Sequence, residues 1–183
     1  AARFVAAQLQ ELGAKIEYRT NDRSTHLIAR MKGKGTFRLL MIAHIDTVFK
    51  KGEAAKRPFR MDENQIAYGP GVGDDKATVI QTIYAMKAFK ELGFDKFGEV
   101  ILYYNGEEEG GSPTAEQIVA ELAPQADGCR WVLPQRLAEQ PAARAADPAG
   151  CQFWHLRFYE ARCACQEMAE AVYHLEQAGN LCL

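Results

Sequence analysis

Short apolar runs and amphipathic segments alternate through the first two thirds of the sequence. Residues 39–43 and 100–104 are apolar throughout, as is typical of strands buried on both faces. Between these runs, an inward-facing helical stripe is formed by Val79, Ile80, Ile83 and Met86. This succession of strand, helix and strand predicts an α/β fold with an open, mostly parallel sheet flanked by helices.

The same reading assigns the other elements. Strands are predicted at residues 15–19, 26–31, 38–44, 65–68 and 99–105, and helices at residues 75–92 and 114–122. The chain opens within an amphipathic helix, with Phe4, Val5, Leu9 and Leu12 on one face and a cap at Gly13. A start inside a helix leads us to expect that the true N-terminus is missing, so the sequence predicts no cellular compartment.

The character of the sequence changes at Gly128. Thirteen of the 15 glycines lie at or before this residue, whereas both tryptophans and all five cysteines follow it. We therefore divide the chain into a domain at residues 1–128 and an atypical tail at residues 129–183. The tail is either a disordered linker with a helical end or the product of a shifted reading frame, and we favour the frameshift.

Composition narrows the classes of partner. The net charge of −2 argues against a nucleic acid or an anionic membrane surface, both of which attract basic proteins. Apolar runs are too short to span a bilayer. The odd number of cysteines, without metal-binding spacing, indicates incidental thiols.

Three polar clusters follow predicted strands, and the first is His44-Ile45-Asp46. Alternate residues of a strand share a face, so His44 and Asp46 are expected to point the same way. A neutral imidazole is a good zinc ligand, and a carboxylate beside it can orient the ring. By itself this pair is more often a hydrogen-bonded histidine at a strand end.

The second cluster is the glycine-rich loop GPGVGDDKA, which leads into the predicted helix at Asp75. An aspartate at a helix start is commonly a cap. A phosphate-binding loop is the alternative function, but the spacing fits neither the Walker motif nor the dinucleotide-binding pattern GxGxxG. The third possibility is that a carboxylate on this loop bridges two metal ions.

The third cluster is NGEEEGGS, in which three glutamates, Glu107 to Glu109, follow a very apolar strand. Repulsion among three adjacent carboxylates favours a nearby cation, and a metal ion would leave one carboxylate free to act as a general base. Each cluster alone is weak. Together, at strand ends on an open sheet, they predict a carboxylate-rich two-metal site.

The motifs AHIDTV, GPGVGDDKA and NGEEEGGS resemble the first three motifs of the two-zinc exopeptidase family. The resemblance covers residues 1–128 and is greatest to the glutamate carboxypeptidase branch. It implies that His44, Asp74 and Glu109 bind zinc, with Asp74 bridging two ions, and that the peptide bond from Asp74 to Asp75 is cis. It also implies that Asp46 orients His44 and that Glu108 is the general base.

The resemblance ends inside the following strand. Ala126 and Asp127 match the family, but Leu133 stands where the family has a further acidic ligand. The lid and dimerisation domain and the final histidine ligand have no counterpart, and His155 and His174 lie in no matching motif. We therefore expect an incomplete enzyme without the family's dimer interface.

Three hypotheses follow for function. The first is a metal-dependent amide-bond hydrolase, like glutamate carboxypeptidase, that releases a C-terminal glutamate from a small peptide or N-acyl amino acid. The second is an inactive truncated domain with weak or no metal binding. The third is a related deacylase or aminopeptidase. Residues that select the substrate belong to the family's missing half, so the sequence does not decide among them.

Overall fold

The computed structural model describes residues 1–64 and 66–131 of the chain. Four helices lie in this part: α1 (Ala2–Glu11), α2 (Glu53–Lys56), α3 (Ala77–Glu91) and α4 (Ala115–Leu122). The strands are β1 (Lys15–Thr20), β2 (Thr25–Lys32), β3 (Arg38–His44), β4 (Arg60–Met61), β5 (Ala67–Tyr68), β6 (Glu99–Asn105) and β7 (Gly128–Trp131). No helix among the described residues is long and apolar enough to cross a membrane.

The main sheet has the strand order β1-β2-β6-β3-β7. Strand β2 is antiparallel to both of its neighbours, whereas β3 is parallel to β6 and to β7. Four of the five strands therefore run in one direction, which confirms the predicted open, mostly parallel sheet. The parallel pair β3 and β6 is joined through helix α3, as the alternating pattern predicted.

Each face of the sheet carries its own apolar core. On one face, α1 and α3 pack on the sheet through buried side chains that include Leu9, Ile83 and Phe89. On the other face, Ile118 and Leu122 of α4 pack on the central strands. Every residue of β6 is buried, which explains why its sequence is apolar rather than alternating.

The predicted strand bounds agree closely with the structure. Strands β3 and β6 have the predicted bounds, and β1 and β2 are longer than predicted by one and two residues. The strand predicted at residues 65–68 is found at Ala67–Tyr68, while Gln65 lies outside the described residues. The small hairpin of β4 and β5 and the short helix α2 were not predicted.

Three details of the helices differ from the sequence prediction. Helix α3 begins at Ala77 rather than at residue 75, because residues 74 and 75 have non-helical backbone angles. Phe4 of α1 and Ile80 of α3, both assigned to inward faces, are 60% and 40% exposed. Each lies beside a buried neighbour at the edge of its helix's apolar stripe, where helical periodicity alone does not decide burial.

Strand β7 crosses the predicted boundary at residue 128. It pairs in parallel with β3 from Gly128 to Trp131, and Cys129 packs on the apolar core of the α4 face. The rest of the tail, including Leu133, His155 and His174, lies outside the described residues. The division of the chain at residue 128 therefore stays a prediction.

The contrast between two isoleucines on α3 gives a test of the core. Ile83 is 1% exposed and Ile80 is 40% exposed. Truncating Ile83 to alanine removes buried apolar contacts and should cost about 2–5 kcal/mol. The matched variant Ile80→Ala should stay within about 0.5 kcal/mol of the wild type. Urea unfolding of the two variants measures the difference, and similar losses would contradict this placement of α3.

Candidate metal centre and catalytic loop

The candidate site lies where two parallel strands end side by side. His44, the last residue of β3, pairs in register with Asn105, the last residue of β6. The loops that follow these strands therefore start at the same edge of the sheet. The glycine-rich loop before α3 meets them there, because Asp74 and Asp75 both contact His44. The three predicted clusters are thus brought together.

The His44 ring is held between two carboxylates. Nδ1 lies 3.2 Å from Asp46 Oδ1, and Nε2 lies 2.8 Å from Asp74 Oδ1. The His44 side chain is 5% exposed, whereas that of Asp74 is 60% exposed. The predicted contact between His44 and Asp46 is therefore present, and the opposite side of the ring faces a carboxylate that solvent can reach.

Charges around His44 favour its protonated form in the absence of a metal ion. Burial lowers the pKa of His44, but the hydrogen bond with Asp74 and the negative charges of Glu108 and Asp75 outweigh burial. The net result is a pKa above the ordinary value for histidine. The same surroundings that attract a proton would attract a cation.

Asp75 does not cap helix α3. Its Oδ2 accepts a hydrogen bond from the main-chain N–H of His44 at 3.3 Å, and the residue is buried. The peptide bond from Asp74 to Asp75 is cis, as the family resemblance implied. The helix-cap explanation of this pair is therefore wrong: one carboxylate contacts the His44 ring and the other contacts the His44 backbone.

Glu108 and Glu109 begin a short 3₁₀ turn after β6. Glu108 is half-buried, and its pKa is raised by burial and by the charges of Glu109, Asp46 and Asp74, against an opposing effect of His44. Glu109 is exposed, and its main-chain N–H donates to Asp46 Oδ2 at 3.0 Å. Asp46 therefore links the imidazole of His44 to the backbone of this turn.

The first glutamate of the run, Glu107, has a different environment. It is 6% exposed, and its Oε1 accepts hydrogen bonds from the Thr114 N–H, the Thr114 hydroxyl and the Ala115 N–H. Its Oε2 accepts from Asn21 Nδ2 at 3.1 Å. Burial alone raises the pKa of Glu107, but the hydrogen bonds from Thr114 and Asn21 lower it to about 2. The argument that all three glutamates need a cation was wrong for this residue, whose charge is balanced by donors.

His26 completes this buried network. The N–H of Gly106 points to His26 Nδ1 at 3.3 Å, and the Tyr103 hydroxyl lies 3.0 Å from the same atom. A main-chain N–H only donates, so Nδ1 is the acceptor and Nε2 carries the proton. Nε2 then donates to Thr114 Oγ1 at 3.0 Å, and burial lowers the pKa of His26. His26 is therefore a neutral structural residue.

The predicted metal ligands are only partly assembled. Within residues 1–64 and 66–131, no group of three or more His, Cys, Asp or Glu side chains is arranged to hold a metal ion. His44 and Asp74 are in contact, whereas the contact of Glu109 with the site is through its main chain. The donor chemistry still fits zinc, because an imidazole backed by a carboxylate at Nδ1 and faced by another at Nε2 is a common arrangement of zinc ligands.

A shallow cleft of about 420 Å³ lies beside the glycine-rich loop. Three cations, Lys56, Arg57 and Arg60, line it together with the aromatic rings of Phe49 and Tyr68. The guanidinium of Arg60 lies 3.9 Å from the centre of the Tyr68 ring. The cleft also includes Gly69 and Pro70, so it adjoins the loop that carries Asp74.

The loop after β6, residues 106–112, carries Glu108 and Glu109 and is called the catalytic loop below for their predicted roles. Sequence reasoning missed the residues that support it: Asn21, His26, Thr114 and the buried role of Glu107. The sequence contained a signal for one of them, Asn21. Asn21-Asp22-Arg23-Ser24 is a typical turn sequence, and Asn21 Oδ1 accepts the N–H groups of Arg23 and Ser24 in this turn. Its proximity to Glu107, 86 residues away in the sequence, required the sheet topology.

Comparison with known sequences now places the chain in a family. The model of the "Peptidase family M20/M25/M40" matches residues 40–177. The chain belongs to this peptidase family. The matched range extends beyond the described residues.

Among its relatives is Carboxypeptidase G2 of Pseudomonas sp. (strain RS-16), which is 35% identical over 133 residues. The alignment covers 69% of this chain and 31% of that protein. The chain thus spans about a third of the length of this curated relative.

Two solved structures show the same fold. The M20 family metallo-carboxypeptidase Sso-CP2 from Sulfolobus solfataricus aligns with a TM-score of 0.59 and 22% identity, covering 71% of this chain and 31% of that one. Human carnosine dipeptidase 1 aligns with a TM-score of 0.53 and 21% identity, covering 70% and 31%. These structures establish the architecture of this part of the chain.

The glycines of the catalytic loop provide a test of its packing. A Cβ atom at Gly106 would overlap the main-chain carbonyl of Thr25, whereas one at Gly110 would meet no atom within 4 Å. Gly106→Ala should therefore lower the free energy of unfolding by about 1–3 kcal/mol. Gly110→Ala should change it by less than about 0.5 kcal/mol. Equal stabilities in urea would show that the loop does not lie against β2.

Proposed function

We propose that the chain carries part of the catalytic centre of a zinc-dependent hydrolase of peptide bonds. The observation that carries this proposal is the contact chain from Asp46 through the His44 ring to Asp74, with distances of 3.2 and 2.8 Å. Membership of a peptidase family supports the reaction class. Because the chain spans about a third of its curated relative, the activity of the whole protein belongs to the proposal.

Each residue has a proposed role that follows from its position. His44 and Asp74 would hold zinc, and Asp46, which contacts His44 Nδ1, would orient the imidazole for this role. Glu109 would supply a further carboxylate, and the family resemblance implies that Asp74 would be shared by two ions. The chemistry that zinc supplies when bound is activation of water and polarisation of the scissile carbonyl.

Glu108 is the proposed general base. It is half-buried beside the charges of Glu109, Asp46 and Asp74, which raise its pKa, so its carboxylate accepts a proton more readily than an exposed one does. The base takes a proton from the attacking water and later gives it to the leaving amine. The peptide bond is thereby cleaved without a net change in the protonation of Glu108.

For the substrate we propose a small peptide or N-acyl amino acid that ends in glutamate. The resemblance of GPGVGDDKA and NGEEEGGS to the glutamate carboxypeptidase branch supports this choice, as does the similarity to Carboxypeptidase G2. The cleft lined by Lys56, Arg57 and Arg60 adds a physical reason, because cations beside the loop that carries Asp74 favour a substrate with carboxylate groups.

One observation favours a second candidate function, that of a domain that binds zinc weakly and does not hydrolyse peptides. In the described part of the chain, His44 and Asp74 touch, but no third metal-binding side chain joins them. A site with few ligands binds its metal less tightly. Zinc uptake without hydrolysis would favour this candidate.

Zinc should stabilise the folded chain. A ligand that binds only the folded state at a concentration of 100 times its Kd adds about 2.7 kcal/mol to the free energy of unfolding. Urea unfolding with and without zinc should show this gain in the wild type and lose it in His44→Ala. As a control, Glu116→Ala removes an exposed carboxylate of α4 and should keep the gain. A gain that survives His44→Ala would place the metal elsewhere.

Hydrolysis should depend on Glu108. Removing a general base lowers the rate by about 100- to 10,000-fold, so Glu108→Gln should abolish measurable release of glutamate while zinc uptake persists. The assay compares peptides ending in glutamate, glutamine and alanine, with N-acetyl amino acids as the deacylase alternative. Turnover that persists in Glu108→Gln would refute its assignment as the base. Equal rates on glutamate and glutamine would refute the proposed specificity.

A further inference from the structure

The buried carboxylate beneath the catalytic loop joins three separate parts of the fold. Glu107 directly precedes Glu108 and Glu109, and its side chain is buried. Its Oε1 is bound by the first turn of α4, and its Oε2 by the turn that joins β1 to β2. One side chain therefore connects the loop after β6 to elements on either side in the sequence.

The loop itself closes around the same residue. The main-chain carbonyl of Glu107 accepts the N–H groups of Gly110 and Ser112, and Asn105 Oδ1 accepts the N–H of Glu107 at 3.0 Å. Asn105 Nδ2 in turn donates to Ser112 Oγ at 2.8 Å. The backbone of Glu107 thus fixes the loop's internal shape, and its side chain fixes the loop's position on the fold.

We propose that Glu107 is a positioning residue, which holds Glu108 and Glu109 at the end of β6 through its bonds to Asn21 and to the first turn of α4. The role rests on the proposed function for Glu108 and Glu109, but the anchoring itself can be measured without metal or substrate. Nothing in the geometry assigns Glu107 to substrate or to metal, because its oxygens are occupied by donors from the protein.

The donor pattern shows why a charge, and not only a polar group, is needed. All partners of the two Glu107 oxygens donate: the Thr114 N–H, the Ala115 N–H and Asn21 Nδ2 among them. Glutamine can keep its oxygen on α4, but its NH₂ group then faces the NH₂ group of Asn21. Asn21 cannot simply flip, because its Oδ1 accepts two main-chain N–H groups of the turn.

This mismatch suggests a rescue experiment. In Asn21→Asp one oxygen of the new carboxylate still accepts the two main-chain N–H groups of the turn. Its other oxygen replaces the NH₂ donor and therefore repels the carboxylate of Glu107. In the double variant Asn21→Asp/Glu107→Gln the glutamine NH₂ donates to the new aspartate, so the hydrogen bond is restored with the charge moved to the other partner. Loss in both single variants and recovery in the double variant measures this contact specifically.

The matched control is a second buried glutamate, at the other end of the strand that the loop follows. Glu99 begins β6 at the opposite end from the site, is 7% exposed and pairs with Arg30 and Lys32. Glu99→Gln makes the same chemical change at a buried site, but at the opposite end of β6 from the catalytic loop. It reports how far general loss of stability affects the measurements.

The experiment uses the full 183-residue chain without metal and measures deuterium exchange of the amides of residues 106–112. Exchange should rise at least several-fold in Glu107→Gln and in Asn21→Asp, return toward the wild-type rate in the double variant and stay unchanged in Glu99→Gln. Wild-type exchange in both single variants, or no recovery in the double variant, overturns the proposal. If Glu107→Gln does not fold, Asn21→Asp and the double variant make the same comparison.

Zinc affinity gives the functional readout. Loss of a residue that orients metal ligands typically weakens binding by about 10- to 100-fold, so Kd should rise by this factor in Glu107→Gln and recover in the double variant. Glu99→Gln should keep the wild-type Kd even where it lowers stability in urea. An unchanged Kd in Glu107→Gln overturns the positioning role. If the wild type takes up no zinc, the proposed function fails, and the exchange comparison still decides whether Glu107 anchors the loop.

Discussion

The structure of the site depends on the parallel pairing of β3 with β6. Because the two strands are in register from Arg38 and Glu99 to His44 and Asn105, their last residues are neighbours at one edge of the sheet. The imidazole and the glutamate pair then meet directly after their strands, and the aspartates reach them from the loop just before α3. This geometry, in which parallel strands deliver side chains to a shared edge, is the general reason why open α/β sheets carry their sites there.

Sequence patterns were sufficient for the elements that pack against one another. The continuous apolar run of β6 and the helical stripe of α3 specified a sheet covered on both faces, and the bounds of β3 and β6 were predicted to the residue. The same reasoning failed at Ile80 and Phe4, which lie at the margins of apolar stripes. Periodicity gives the direction of a side chain to within about one residue position, and tertiary packing decides the rest.

The sequence also predicted which polar clusters form the site, but not which partners each side chain contacts. Asp46 was predicted to orient His44 and Asp74 to bind metal, and in the structure both carboxylates contact the His44 ring. Asp75, for which no role beyond a helix cap was predicted, contacts the His44 backbone. The family resemblance gave roles to Glu108 and Glu109 only, but nothing in the residue pattern predicted the different surroundings of Glu107. Hydrogen-bond donors arriving from residues 21 and 114 make this difference, and no local pattern encodes them.

The reach of these contacts along the chain has a consequence for folding. The network around Glu107 joins residues 21, 26, 107 and 114, so it cannot form until the hairpin, the central strands and α4 are all in place. A chain in which only the hairpin of β1 and β2 has formed contains no site, even in part. Contacts between residues this distant in sequence form slowly and late, because the connecting loops must first be closed. Binding of zinc at the site would therefore indicate that folding is complete, because a partly folded chain would not bind it.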